Sequence, residues 1–208
     1  MAIEASKSQE QARRIRLGMV GGGQGAFIGA VHRIAARMDD NYALLAGALS
    51  GDRARAKASA AELGLDPARS YDSYEAMAVA ESRRQDGIEA VAIVTPNHLH
   101  EPIARAFLHA GIHVICDKPL AVSAEEAKSL QDLTRKTGLI FAVTYNYSGY
   151  PMVRQAEAMV AAGELGEIRV VQVEYPQGWL ATRLEESGQK QAVWRTDPAQ
   201  SGAGGCIG

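Results

Sequence analysis

The sequence predicts an α/β protein: a doubly wound parallel sheet over most of its length, then the beginning of an α+β segment. Three observations predict it. Short apolar runs alternate with amphipathic stretches from Ile15 to Thr144. A glycine-rich turn joins the first run to the first amphipathic stretch. The third run, Ala90-Val-Ala-Ile-Val94, is apolar at every position, as expected of a strand covered on both faces. Repeated strand–helix–strand units give a parallel sheet with right-handed crossovers. The expected organisation is therefore a tail at 1–13, a Rossmann-like domain at 14–147 and a partial second domain at 148–208.

Taken in order, Ile15–Val20 reads as a strand, followed by the glycine turn and a helix through Val31, Ile34 and Met38. Tyr42–Leu49 is the second strand. Asp52–Leu63 is a helix stopped by Gly64, and Ser73–Ser82 is another. After the buried third strand, Asn97 is expected to cap a helix that tolerates Pro102 in its first turns. Ile112–Cys116 is the fourth strand. Ser123-Ala-Glu-Glu126 is a capping box, so a helix should run to Thr137 before Gly138. Leu139–Thr144 closes the series. Beyond Ser148 the pattern changes: Met152–Ala162 is helical, Gly163–Gly166 turns, and Ile168–Tyr175 alternates like a half-exposed strand.

Composition narrows the function. The 208 residues are 47% hydrophobic, which suits a packed core, and the net charge is -2 with no basic stripe, so nucleic acid is not expected as a partner. No apolar run reaches the roughly 18 residues of a membrane span. The polar N-terminus, with Glu4, Lys7, Glu10, Arg13 and Arg14, lacks a leader's apolar stretch. Cys116 and Cys206 have no metal-binding spacing and read as reduced thiols of a cytoplasmic protein, with no metal site.

In parallel sheets of this kind, ligands sit at the carboxyl ends of the strands, so the loops after each strand carry the chemistry. In Gly21-Gly-Gly-Gln-Gly-Ala-Phe-Ile-Gly29 the glycines let the backbone approach a pyrophosphate, and the next helix offers its N–H groups. Gly21 and Gly23 are the first two glycines of a dinucleotide fingerprint; the third is Ala26 or Gly29. Ser50 ends the second strand where an NAD-specific site would carry an acid. Arg53 or Arg55 could pair with a 2′-phosphate, so NADP is favoured over NAD. The plainer alternative makes both arginines solvated and Asp52 only a cap. His98 and His100, taken alone, read as surface histidines at a helix start. Lys118 follows a strand end, where a lysine beside a cationic nicotinamide would have a lowered pKa and could relay a proton.

Several of these pieces occur together, in order: Gly-x-Gly, Thr95-Pro-Asn-His-Leu-His100, Gly111-Ile-His-Val-Ile-Cys-Asp-Lys-Pro119 and Tyr145-Asn-Tyr147. The combination resembles the Gfo/Idh/MocA family from about Arg14 onward. The resemblance implies hydride transfer between a nicotinamide cofactor and a sugar, cyclitol or related polyol. It implies cofactor contacts at Gly21, Gly23, Gln24, Thr95, Pro96, Asn97, His100, Asp117 and Lys118, with Lys118 catalytic. Asp117-Lys118-Pro119 departs from the family's Glu-Lys-Pro only in the acid. Ser50 and Arg55 match a serine and a basic residue of NADP-using members. Trp194-Arg195 resembles a pair that reaches back to the cofactor. Tyr145, Asn146 and Tyr147 are candidate substrate contacts or a packed strand end, and Trp179 lines the cleft or packs inside. Ser148 stands where many relatives carry arginine. The glycine loop is about three residues longer than the family's usual fingerprint.

In the family, a stretch like Gly202-Ala-Gly-Gly-Cys-Ile-Gly208 leads into an Asp-x-x-x-His motif carrying the acid/base histidine. The sequence stops before such a motif, and the expectation is a chain that binds cofactor and turns over poorly. A completed second domain would make a homo-oligomer. The competing reading is a non-catalytic dinucleotide-binding sensor or subunit.

Overall fold

The computed structural model describes residues 13–202 apart from 177 and 180. Most of the tail, Cys206 and the glycine-rich end after Gly202 therefore lie outside the described residues. Five strands form one parallel sheet: β1 (Ile15–Gly21), β2 (Tyr42–Ala48), β3 (Ala90–Val94), β4 (His113–Cys116) and β5 (Phe141–Val143), in the order β2-β1-β3-β4-β5. The order reverses between β1 and β3, so the loops leaving those two strands diverge and open a crevice at their carboxyl ends.

Side-chain alternation divides the core in two. From β3, Val91 and Ile93 join one apolar cluster while Ala90, Ala92 and Val94 join the other. The first is completed by helices α3 (Tyr74–Ser82), α4 (His100–His109) and α5 (Ala124–Thr137), through Met77, Ile103, Phe107 and Leu130. The second meets α1 (Phe27–Met38) and α2 (Arg53–Glu62) through Ile28, Ala36 and Ala60. Burying a side chain such as Phe107 contributes about 1.5–3 kcal/mol.

Local signals set the helix limits. Asp52 accepts the Arg55 N–H at 2.7 Å, and Ser73 and Ser123 cap α3 and α5 in the same way. The capping box is shifted by one residue: Glu126 accepts from the Val122 N–H at 3.2 Å. Gly138, at φ +67°, stops α5 in the left-handed conformation that glycine adopts without strain.

Two expectations are corrected. Asn97 opens a short 3-10 turn (Asn97–Leu99) and does not cap α4; its Nδ2 donates instead to Ser201 O at 2.8 Å. Ile168–Tyr175 pairs with no strand among the described residues, and Val170, Val171 and Val173 all stand exposed. Alternation selects a face only where a neighbouring strand supplies hydrogen bonds. Upstream, α6 (Pro151–Ala161) buries no residue. Downstream, α7 (Lys190–Arg195) and α8 (Pro198–Ser201) return to the carboxyl end of the sheet. There Ala192 and Ser201 are buried. A Cβ on Gly202 would come within 2.6 Å of Val122. No helix among the described residues is long and apolar enough to cross a membrane.

Candidate cofactor cleft

The crevice is a cleft of about 1000 Å³, bounded by the glycine loop, the ends of β3, β4 and β5, and α7. That is the upper end of the range for small-ligand sites.

Backbone contact explains the glycines. A Cβ on Gly21 would lie 2.8 Å from Val94 O, and one on Gly23 would lie 2.7 Å from both Leu49 O and Ser59 Oγ. A Cβ on Gly29 would lie 2.4 Å from Gly22 Cα, so Gly29 has the close-packing role, while Ala26 is the residue before α1. Sequence reasoning missed two supports of this loop. Ser59 Oγ on α2 accepts the Gln24 N–H at 2.9 Å and donates to Arg55 O at 2.7 Å. Arg33 on α1 donates to Gly22 O at 2.8 Å. Neither carries a motif; both follow from helices passing beneath the loop. Gln24 lines the cleft, though its side-chain amide is tied to Glu62 at 3.0 Å.

At the second loop the arginines separate. Arg53 pairs with Asp72 at 2.5 Å, whereas Arg55 lines the cleft with Ser50. Ser50 Oγ accepts the Asp52 N–H at 3.1 Å.

The third loop places Thr95, Pro96 and Asn97 in the cleft wall. Thr95 Oγ1 is buried with no hydrogen-bond partner among the described residues, as a polar atom awaiting a ligand would be. His100 is neither a surface residue nor a cleft residue. Its ring is fully buried, with Nδ1 2.7 Å from Pro119 O and Nε2 3.0 Å from Thr95 O. Loop packing therefore replaces the cofactor contact expected for it.

The fourth loop brings the charges together. Asp117 Oδ1 accepts from Thr144 Oγ1 at 2.8 Å and lies 3.7 Å from His32 Nε2. Burial works against the charged carboxylate, but His32 and Thr144 prevail and hold it below the usual carboxylate value. Lys118 lines the same wall. Burial lowers its pKa, the positive Arg195 lowers it further, and Asp117 opposes both. Arg195 lies 5.0 Å from the Trp194 ring and 5.5 Å from that of Trp179, within cation–π range. Trp194 and Arg195 both line the cleft. Cys116 is buried directly below, its thiol pKa raised by desolvation.

Of the three candidate substrate contacts, Tyr145 and Asn146 line the cleft. Tyr147 turns away: it packs edge-on against Tyr150 and Tyr175 and hydrogen-bonds the Tyr175 hydroxyl.

A backbone cradle that excludes Cβ atoms, an unsatisfied threonine hydroxyl and a cationic far wall fit a dinucleotide. Comparison with known proteins agrees. Residues 15–145 match the Oxidoreductase family, NAD-binding Rossmann fold model, and residues 153–208 match the GFO/IDH/MocA C-terminal domain model. An uncharacterized oxidoreductase, YfiI, of Bacillus subtilis (strain 168) is 42% identical over 95% of this chain and 50% of its own length. Levoglucosan dehydrogenase of Pseudarthrobacter phenanthrenivorans is 32% identical over 92% of this chain and 47% of its own. The crystal structure of an inositol dehydrogenase homolog complexed with NAD+ from Azotobacter vinelandii superposes with a TM-score of 0.87 at 44% identity. It covers 92% of this chain and 49% of that one. The chain spans about half the length of the curated relatives it matches. With both family models matched in order on the fold and cleft described, this chain belongs to the Gfo/Idh/MocA oxidoreductase family.

Proposed function

We propose that the chain binds a nicotinamide dinucleotide along the cleft and serves hydride transfer to or from a hydroxyl of a sugar, cyclitol or related polyol. The observation that carries this is the opening of the Gly21–Gly23 cradle and Lys118 into one cleft. The relatives named for levoglucosan and inositol support the substrate class. When bound, the nicotinamide supplies the hydride acceptor or donor. Gly21, Gly23 and the start of α1 would hold the pyrophosphate, with Thr95, Pro96 and Asn97 lining the path towards Asp117, Trp194 and Arg195. Lys118 takes or returns the hydroxyl proton; its lowered pKa puts more of it in the neutral, proton-accepting form near neutral pH. Tyr145 and Asn146 orient the substrate. Assembly of a homo-oligomer and residence in the cytoplasm belong to the same proposal.

At the adenosine end, Arg55 and Ser50 in place of an acid favour NADP. The second reading is NAD, supported by Ser50 Oγ being engaged with the Asp52 N–H and by the NAD+ in the Azotobacter vinelandii homologue. Fluorescence titration with NADPH and NADH tests both. NADPH should bind more tightly, and Arg55→Ala should remove that advantage. Tighter NADH binding, indifferent to Arg55→Ala, selects NAD. If neither nucleotide binds, the cofactor proposal is lost.

A further inference from the structure

The loops leaving β3 and β4 supply the cleft residues Thr95 and Lys118, and the ladder between the two strands ends just before them. Its last backbone rung runs from the Asp117 N–H to Ile93 O at 2.9 Å. The next link between the two chain segments is the His100 ring, 2.7 Å from Pro119 O and 3.0 Å from Thr95 O. One carbonyl belongs to Thr95 itself and the other to the neighbour of Lys118; burial lowers the pKa of the ring, and a neutral imidazole donates to one of them and packs its other edge against the second. Imidazole suits this place because its nitrogens lie on separate edges of one rigid ring. An amide carries both polar atoms at one end. The ring is 0% exposed and does not line the cleft itself.

We propose that His100 is a positioning residue that sets the separation of Thr95 and Lys118, and thereby shapes the nicotinamide end of the cleft. This rests on the cofactor reading above, in which the glycine loop fixes the pyrophosphate and Lys118 marks the nicotinamide end. The role accounts for the second histidine of Thr95-Pro-Asn-His-Leu-His100 without a contact to ligand.

The test compares NADH with ADP-ribose, which keeps the adenosine and pyrophosphate and lacks the nicotinamide. His100→Phe keeps a ring without donors, and His100→Gln restores one donor. Loss of the strut should weaken NADH binding by about tenfold for His100→Phe and less for His100→Gln. ADP-ribose affinity should stay within about twofold for both. Equal weakening of the two ligands overturns the proposal, since general destabilisation would do that. Should both variants melt below the assay temperature, the unaltered chain supplies the readout by ¹⁵N-histidine NMR. The His100 ring signals should shift with NADH and stay in place with ADP-ribose; equal responses overturn the proposal. An unaltered chain that binds neither ligand removes the cofactor reading itself, a failure distinct from one confined to His100.

Discussion

The segments Ala90–Val94 and Ile168–Tyr175 are both rich in β-branched residues, and they meet opposite fates. The first lies in mid-sheet, hydrogen-bonded to β1 and β4, with every residue buried. The second leaves Val170 83% and Val173 80% exposed. Propensity is similar in the two; neighbours are what differ. The cofactor unit carries two apolar clusters of its own, one on each face of its sheet. The stretch from α6 to Tyr175 adds little to either. Stability should therefore reside almost wholly in residues 15–143.

The strongest way to break that contrast is at Glu81. This fully buried carboxylate accepts from Arg69 Nε at 3.0 Å, Tyr71 OH at 2.7 Å and the Ile88 N–H at 3.0 Å, with a further short contact to Arg69 Nη2. It ties the end of α3 to the chain entering β3. Burial and the neighbouring Glu81 push the Tyr71 phenol up to about 12. Glu81→Ala leaves the buried Arg69 with the more distant, exposed Asp86 carboxylate at 3.8 Å as its counter-charge and should cost about 3–5 kcal/mol, read from urea midpoints. Val171→Ser, in the exposed stretch, should change stability by less than about 0.5 kcal/mol. If the two substitutions cost alike, the contrast is wrong.

A second test separates two glycines within the cofactor unit. A Cβ on Gly29 would meet Gly22 Cα at 2.4 Å, backbone against backbone, whereas a Cβ on Gly51 would meet nothing within 4 Å. Gly29→Ala should cost about 1–3 kcal/mol through overpacking and should also weaken dinucleotide binding, because Gly22 must shift. Gly51→Ala should leave the melting temperature unchanged. Equal tolerance at both positions would mean that the loop does not need the close approach of α1.

Much of the cofactor unit was legible because its signals are local. Four of the five strands fall within runs read from periodicity and β1 exceeds its run by Gly21 alone, while Asp52, Ser73, Ser123 and Gly138 mark helix ends through their own side chains or backbone freedom. What escaped depends on contacts distant in sequence. Asn97 looked like a cap because no local pattern reveals Ser201, 104 residues later. His100 looked exposed because the two carbonyls that flank its ring come from two loops. Ser59 and Arg33 support the glycine loop from helices whose angle no pattern encodes. Spacing alone left Arg53 and Arg55 both open while the resemblance pointed to Arg55, and the Arg53–Asp72 pair separates the two side chains. The strand expected at Ile168–Tyr175 failed for the converse reason: its local signal was present, and no partner strand lies among the described residues.

The smallest expected effect lies at the edge of the cofactor unit, where the incoming chain is fastened to it. Glu89 accepts from Arg13 at 2.6 and 2.7 Å and from the Arg16 N–H at 3.0 Å. These hydrogen bonds, Arg13 first, hold its carboxyl down to about 2. A carboxyl whose folded pKa is depressed stabilises the fold above its unfolded value, and that contribution is lost as pH falls towards the folded one. Glu89→Gln should therefore be slightly less stable than the natural chain at pH 7. The gap should close between about pH 4.3, the unperturbed glutamate value, and about pH 2. Arg13 is solvent-exposed, so the gap should also shrink in molar salt. Thermal melts across that pH window decide it. A gap that persists unchanged in acid would mean that Glu89 acts by packing, and that the fastening of residues 13–16 to β3 does not depend on charge.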